Sequence, residues 1–321
     1  MMLGTEVNQN VRSRIQTLRF EEVAVGLTPV VSTQIYILEL DGKPVGRINS
    51  VSLPTLGGSL DLQTVNGQIP KHIAQSKPDD FAFECETGMS RIFFDWIKDS
   101  FKSNYSRKNG AVVAVGHDQV EKYRMDFVNA MITAFALPKL DRSSKGPERL
   151  SVRISSEDAK ISQPGTKTSA KLYLSGAALS PAGFKVSIDK LEKDCEAVVS
   201  IESISAGTKP VVDYYGRSRI PTISPGSTRL SDIVMTVPQS KAIGFFDWFE
   251  KTAVGGKTDS RNGTVEYSGP DSKTTYYTLN LSGMGLTEAA TTDEFVGKER
   301  LAKVKLYCES MDFSAGSAAV L

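Results

Sequence analysis

An unusual aromatic sequence occurs twice in this chain of 321 residues. Phe93-Phe94-Asp95-Trp96 returns as Phe245-Phe246-Asp247-Trp248, an offset of 152 positions, and the two segments contain both tryptophans of the protein. A repeat at such long spacing indicates two copies of one structural unit, which constrains the fold more strongly than local composition does. Other segments should then recur at a similar spacing.

Four further segments recur in the same order, at offsets between 151 and 153 positions. They include an Asn-Gly pair that follows each aromatic segment. The matched segments are 107–110 (RKNG) with 260–263 (SRNG), Met131 with Met284, 146–150 (GPERL) with 297–301 (GKERL), and the apolar alternation of 81–84 with that of 233–236. Each match is weak alone, but the shared order and spacing predict an internal duplication.

The duplication predicts two tandem domains. Copy one covers residues 1–162, with an N-terminal arm at about 1–20, and copy two covers residues 163–321. The seam at 163–169 has the Pro, Gly, Thr and Ser composition of a linker. Because 40% of the residues are hydrophobic, each copy is long enough to bury its own core.

Each aromatic segment has the apolar spacing of an amphipathic helix. The pattern predicts helices at about 90–101 and 243–252, each followed by an Asn-Gly pair that supplies the positive φ of a tight return into a strand. We expect the large apolar side chains of these helices to pack against a sheet. The predicted helix core consists of Phe93, Trp96, Ile97, Phe245, Trp248 and Phe249.

Short apolar runs between turn residues predict β-strands around each helix. The runs lie at 35–40, 51–56, 111–115 and 123–128 in copy one, and at 184–191, 197–205, 233–237, 263–268, 275–281 and 303–308 in copy two. The polar stretch 59–77 predicts a long loop. Many short strands with one helix predict a mainly β protein with one principal α-helix per domain, each domain a β-barrel or sandwich.

Motifs for catalysis or metal binding do not occur in the sequence. It contains no GxGxxG after a strand and no GxxxxGK[ST], GxSxG or HExxH. His72 and His117 lie in predicted loops without a second ligand at metal-binding spacing. Cys85, Cys195 and Cys308 are far apart and lack a CxxC spacing, so buried free thiols are expected. We therefore predict no catalytic residue, no metal and no cofactor.

Charge is balanced, with 38 Lys and Arg against 37 Asp and Glu, so the totals indicate no basic face for nucleic acid. Lys98, Lys102, Arg107 and Lys108 cluster around Tyr105, either as a solvated helix end or as a contact for nucleic acid or an acidic partner. A β-rich hydrolase with paired carboxylates between the copies is the alternative enzyme hypothesis. Without an apolar run of about 18 residues or a secretion signal, we expect the chain to fold in the cytosol.

The order of these motifs resembles that of a known family. Copy one has a strand and hairpin at 35–46, the aromatic helix, the Arg-Lys-Asn-Gly link, a strand that ends near Asn129-Ala130, and a closing strand that begins at Glu148-Arg149-Leu150. This order resembles the tail tube proteins of contractile-tailed bacteriophages and the inner-tube proteins of related contractile injection systems. The resemblance covers most of residues 30–160 and, more loosely, 184–313. Family members usually contain one such domain, whereas this chain contains two.

The resemblance implies a structural function. Tube proteins of this family form β-barrels flanked by a helix, six domains surround a channel, and the rings stack into a tube; ring closure also satisfies the sheet edges. The implied partners are other copies of the chain, the sheath, baseplate and tail-terminator proteins, and a tape-measure protein or other cargo in the lumen. DNA would pass without sequence-specific binding, and no membrane is involved. The implied location is a virion tail or injection particle made in the bacterial cytoplasm.

The duplication raises the question of stoichiometry. If both copies take ring positions, three chains form a ring with pseudo-sixfold symmetry. In the rival arrangement, six chains form the ring and copy two lies outside it. A second hypothesis is a baseplate or tail-end adaptor that shares the tube fold and forms a single ring. The sequence leaves open whether the cargo is DNA or a protein effector, and which strand face lines the channel.

Overall fold

The computed structural model describes residues 35–61, 72–102, 105–168, 176–216, 218–269, 271 and 273–320. The predicted N-terminal arm at 1–20 lies outside these ranges. No helix in the described ranges has the length and apolar character needed to cross a membrane.

The strands and helices of the two copies occur in the same general order. Copy one contains β1 (Ile35–Leu40), β2 (Lys43–Ser52), β3 (Leu56–Asp61), β4 (His72–Pro78), β5 (Phe81–Cys85), α1 (Arg91–Phe101), β6 (Lys108–Val115), β7 (Glu121–Leu137), β8 (Leu140–Asp141), β9 (Leu150–Ser155) and β10 (Asp158–Ser162). Copy two contains β11 (Phe184–Ile188), α2 (Glu192–Cys195), β12 (Ser200–Ile201), β13 (Ile204–Thr208), β14 (Val211–Asp213), β15 (Thr222–Ser224), β16 (Thr228–Leu230), β17 (Ile233–Pro238), α3 (Ile243–Phe249) with a π-helical turn (Glu250–Val254), β18 (Arg261–Ser268), β19 (Thr275–Val296), β20 (Glu299–Tyr307) and β21 (Ser310–Ala315).

Copy one forms a closed six-stranded barrel. Its strands pair in the order β7-β6-β1-β2-β5-β9, and β9 pairs again with β7 to complete the circle. Closure gives every strand of the barrel a neighbour on both sides. The prediction of a mainly β protein with one principal helix in each copy is confirmed.

Copy two repeats this strand order without closing the circle. The order β19-β18-β11 on one side and β19-β20-β17-β12 on the other matches β7-β6-β1 and β7-β9-β5-β2 of copy one. Within the described part of the chain, no pairing joins β11 to β12, and the short helix α2 lies between them in sequence. The second sheet is therefore an open version of the first.

The duplication extends to the residue-by-residue register. Phe81 pairs with Ile154 in copy one and Ile233 pairs with Leu306 in copy two, so both partners are displaced by 152 positions. The long strand of each copy also carries the same irregularity: its pairing slips between Ile132 and Ala134 in β7, and between Leu286 and Glu288 in β19. Matching bulges at matching positions indicate one ancestral strand geometry.

A second shared irregularity precedes these bulges. Asn129 in β7 and Gly283 in β19 both have positive φ, of 49° and 66°. Their backbone N–H groups donate to the side-chain oxygens of Asn109 and Asn262, at 2.9 and 3.3 Å. The predicted positive-φ return at the Asn-Gly pairs is wrong, because both pairs lie inside β6 and β18 and none of their residues has positive φ. Their glycines lie where the backbone of the neighbouring strand leaves no room for a Cβ, and their asparagine side chains help to fix the bend of each long strand.

Several strand predictions from the sequence are wrong in detail. The predicted single strand at 51–56 is absent from the structure, where these residues include the end of β2 and the start of β3. The predicted strand at 197–205 is divided into β12 and β13. The polar loop at 59–77 overlaps the hairpin β3–β4, which places His72 in a strand, and residues 62–71 lie outside the described ranges. Glycine and serine in β3 gave no apolar alternation by which the hairpin could be predicted. His117 lies exposed in a turn.

The two aromatic helices are anchored by equivalent contacts. The Trp96 indole N–H donates to the Ser106 carbonyl at 2.8 Å, and the Trp248 indole N–H donates to the Asp259 carbonyl at 2.9 Å. The predicted helix-core residues Phe93, Trp96, Ile97, Phe245 and Trp248 are fully buried, and Phe249 is partly buried. Each indole fills the space under its sheet while its polar edge stays paired.

We predict that Trp96→Ala and Trp248→Ala each lower the free energy of unfolding by about 3–5 kcal/mol, because a large cavity remains and a backbone carbonyl loses its donor. Thermal and chemical unfolding of the purified variants measures this loss. Unchanged stability in both variants would contradict a packing role for the two helices.

Candidate assembly interface

Strand pairings cross the predicted boundary between the copies at residues 162 and 163. Strand β13 of copy two pairs with β7 of copy one, and β8 of copy one pairs with β12 of copy two. Apolar residues from both copies also belong to one continuous core. The division at 162 and 163 stays a prediction about repeat units, and the two units share an extensive interface.

The main strand contact comes from a hairpin that we call the copy-two arm, residues 204–230. Its base is the pair β13–β16, in which Ala206 lies opposite Leu230. On its other side Ala206 lies opposite Phe135 of β7, so the arm adds a strand to the sheet of copy one. Main-chain addition of this kind supplies hydrogen bonds to an edge that would otherwise lack them.

A charged pair in copy one holds the outer part of the copy-two arm. Glu157 accepts a hydrogen bond from the Ile223 backbone N–H at 3.0 Å, and the Arg107 guanidinium donates to the Ile223 carbonyl. Arg107 also donates to Glu157, and Asn129 donates to the other carboxylate oxygen at 2.9 Å. Since Ile223 is fully buried, its backbone needs these partners.

Burial alone would raise the pKa of the Glu157 carboxyl. Hydrogen bonds from Ile223, Asn129 and Arg107 outweigh burial and hold that pKa below its usual range. The carboxylate is therefore charged at neutral pH, as these donors require.

Helix α1 forms the second part of the interface. Phe94 packs against Tyr277 and Phe313 of copy two, with ring centroids 5.6 and 6.2 Å apart, and Phe135 contacts Phe313 at 5.1 Å. The Arg91 guanidinium donates to the Ala315 carbonyl at 3.2 Å. The apolar contacts are buried and carry most of the energy of this contact.

The basic cluster predicted from the sequence is used largely inside the molecule. Arg107 binds the copy-two arm, Lys108 pairs with Asp41, and Lys102 pairs with Asp312 across the interface at 3.2 Å. The Tyr105 hydroxyl hydrogen-bonds Thr228 of the copy-two arm. These partners are far from the cluster in sequence, so their identity could not be read from it.

The cysteine thiols and the acidic and histidine side chains of the described residues form neither a metal cluster nor an activated nucleophile. Among the described residues, no three His, Cys, Asp or Glu side chains are grouped to hold a metal ion. Burial raises the pKa of the Cys195 thiol to about 12 and that of Cys308 to about 11, and it raises the pKa of Cys85 further. These thiols are protonated at neutral pH and are poor nucleophiles.

We predict that Glu157→Gln destabilises the chain by about 1.5–3 kcal/mol at pH 7, because charge-assisted hydrogen bonds to a buried backbone are lost. A carboxyl with a depressed pKa contributes stability fully above its unfolded-state pKa of about 4.3. That contribution is lost as the pH falls through this value and then through the lower folded-state pKa. The difference in unfolding free energy between wild type and variant should therefore shrink on acidification.

Glu309 offers a matched control. It lies 152 positions after Glu157, and its backbone N–H donates to Ser282 as that of Glu157 donates to Val128. Its side chain is exposed. Glu309→Gln should leave the unfolding free energy unchanged, and equal effects of the two substitutions would contradict the role assigned to Glu157.

Comparisons with known proteins give similarities of fold. No protein-family model matches the chain, and a comparison with curated proteins finds no match. Among solved structures the chain is similar to a chain of the anti-feeding prophage baseplate, with 12% identity, a TM-score of 0.32, and coverage of 47% of this chain and 98% of that one. It is similar to a chain of the sheath-tube complex of the extracellular contractile injection system PVC, with 15% identity, a TM-score of 0.32, and coverage of 41% and 88%.

Hcp1 from Flavobacterium johnsoniae is a third similar structure, with 14% identity, a TM-score of 0.28, and coverage of 41% of this chain and 95% of that one. The chain thus resembles tube, cap and baseplate components of contractile injection systems. Identities and TM-scores this low give no basis for transferring a function from these proteins.

Proposed function

We propose that this chain forms the inner tube of a phage tail or contractile injection system, with three chains in each ring and rings stacked around a channel. One observation carries the proposal: the two copies join through unlike surfaces. Copy one contributes the β7 edge and the outer face of α1, whereas copy two contributes its arm and β21. The contact is therefore heterologous and not self-complementary.

Repeated heterologous contacts generate either a closed ring or an open filament. Both copies have the same strand order and register, so each copy has a version of both surfaces. One contact is already made inside the chain. Each copy therefore keeps one surface that is not used inside the chain. Through these two surfaces a chain can join the next chain and continue the same arrangement.

Ring closure with six domains requires three chains, which gives exact threefold and approximate sixfold symmetry. With about four inner strands from each domain, the ring would contain about 24 strands and enclose an open channel. In this arrangement every neighbouring pair of domains is a contact between a copy one and a copy two. The rival of six chains, with copy two outside, would separate the copies into different layers.

The function is structural in this proposal. Sheath, baseplate and tail-terminator proteins would contact the tube, while a tape-measure protein or other cargo would occupy its lumen in a virion tail or injection particle made in the bacterial cytoplasm. The net charge of +1 suits passage of DNA without sequence-specific binding. No enzymatic activity and no cofactor are invoked.

A single-ring adaptor at a baseplate or tail end is the second candidate. It is favoured by the difference between the closed barrel of copy one and the open sheet of copy two. Alternation of unlike copies gives a ring with threefold faces, which suits a junction between assemblies of different symmetry.

We predict that native mass spectrometry of isolated rings gives about 105 kDa, which is three chains of 34.9 kDa. Twice that mass, with an outer layer in averaged images, would support the six-chain arrangement. Negative-stain microscopy separates the other candidates because a tube protein gives long cylinders or stacked rings, whereas an adaptor stops at one ring. A chain that stays monomeric at all concentrations would contradict both.

A further inference from the structure

Strand β19 carries an uncovered version of the edge that β7 uses inside the chain. The shared bulge and register make residues 288–291 of β19 equivalent to 134–137 of β7. In β7 these residues pair with β13 on the edge away from β9. In the described ranges, no strand pairs with 288–291 on the edge away from β20, and beyond this segment Phe295 and Val296 are exposed.

The hairpin β3–β4 of copy one is equivalent to the copy-two arm, and we call it the copy-one arm. Leu56 lies opposite Pro78 and Gly57 opposite Lys77, as Ala206 lies opposite Leu230 and Gly207 opposite Arg229 in the copy-two arm. The next backbone contact also agrees. The Asp79 N–H donates to the Thr55 carbonyl at 3.1 Å, and the Ser231 N–H donates to the Ser205 carbonyl at 2.8 Å.

Exposure distinguishes the two arms. Ala206 is 6% exposed under β7, whereas Leu56, at the equivalent position, is 45% exposed. Through Ser76 of β4 the copy-one arm already touches Arg219 of the copy-two arm, so β3 remains as its outer strand. In the described part of the chain, β3 has β4 as its one strand neighbour.

The helix side of the interface shows the same asymmetry. Phe94 of α1 is buried against Phe313 of β21, while its counterpart Phe246 of α3 is only partly buried. The counterpart of Phe313 is Ile161 of β10, because β10 pairs with β7 as β21 pairs with β19. Phe313 is fully buried and Ile161 is 41% exposed.

We propose, on the premise of the ring described above, that the copy-one arm and β10 of one chain dock on the β19 edge and α3 of a second copy of this chain. This contact between chains, which we call the joint, repeats the contact between copy one and copy two inside the chain. In the joint, Leu56 lies opposite Ala289, Gly57 lies opposite Glu288, and Ile161 packs on Phe246. The exposed apolar groups of both surfaces are then covered. Pro54 takes the place of Ile204, so one backbone donor is missing from this joint.

A second copy of the chain is the occupant because the contact between the copies inside the chain already shows which surfaces fit together. The uncovered β19 edge and α3 match the surfaces that copy one uses, and the uncovered arm and β10 match those that copy two uses. In the described ranges, neither β3 nor β10 pairs with β19 of the same chain. An unrelated partner would need to reproduce the same register and apolar spacing.

Gly57→Val tests the strand joint without touching the fold of the chain. A Cβ at Gly57 meets no described atom within 4 Å, and the residue does not have positive φ. At the equivalent Gly207, a Cβ lies 3.2 Å from the Thr133 carbonyl oxygen of the docked strand. A branched side chain at Gly57 should therefore obstruct docking only in the assembly.

We expect Gly57→Val to raise the concentration needed for half-maximal ring formation at least tenfold, measured by sedimentation velocity and native mass spectrometry. The melting temperature of the dilute chain should be unchanged. Gly146→Val is the matched control, because a Cβ there also meets no described atom within 4 Å, and it lies outside both joints. It should assemble like the wild type.

A crosslinking experiment tests the helix joint independently. Chains carrying Phe246→Cys are mixed with chains carrying Ile161→Cys, oxidised, and analysed by peptide mapping for a disulfide between residues 246 and 161. The proposal expects this crosslink between chains in the assembled fraction. A control that replaces Ile161→Cys by Val128→Cys, another exposed apolar position of copy one, should give little crosslink.

The outcomes separate this proposal from the ring itself. Wild-type rings together with unimpaired assembly of Gly57→Val and no 246–161 crosslink would overturn the proposed joint while leaving the ring intact. Crosslinking to the predicted partner with loss of assembly in Gly57→Val supports the joint. A wild-type chain that does not assemble at any concentration, together with no crosslink between the Phe246→Cys and Ile161→Cys chains, would overturn the joint and the proposed function together.

Discussion

Backbone hydrogen bonding along the edges of β7 and β19 is the constraint on which the arrangement of this protein depends. These strands have 17 and 22 residues and extend past the strands β6 and β18 that pair with their first parts. An extended strand without a neighbour exposes unpaired donors and acceptors and invites uncontrolled association. In copy one the arm of copy two supplies the missing strand, so the fold of one copy is completed by the other.

Helix α1 packs on the core of copy one and also on copy two, so it links the core of copy one to the contact between the copies. Phe93 packs toward Phe83 within its own copy, whereas the next residue, Phe94, packs toward Tyr277 and Phe313 of the other copy. The indole of Trp96 fixes the helix to its own chain segment. Two successive aromatic residues of copy one therefore pack toward two different sheets, which gives a physical reason for their adjacency in that helix.

The sequence predicted the features that depend on local patterns or on the repeat. The helices around Trp96 and Trp248 and the mainly β class follow from spacing. The Asn-Gly pairs were predicted wrongly as turns, because pairing of β6 and β18 with the long strands keeps them in extended backbone. The interface was missed because its residues become neighbours only through the fold: Arg107, Glu157 and Ile223 are widely separated in sequence. Short arm strands such as β13 and β16 have little pattern of their own and form where a neighbouring edge is available.

The contact between the two copies of one chain limits the number of domains that a ring can contain. Because each chain carries its own contact already made, a ring built as proposed gains or loses domains only in pairs, and rings of five or seven domains cannot close without leaving a domain unpaired. Every second contact between domains is also tethered covalently and has a high effective concentration, so it reforms at once if it opens. In the proposed ring, gene duplication therefore restricts the number of domains to even values.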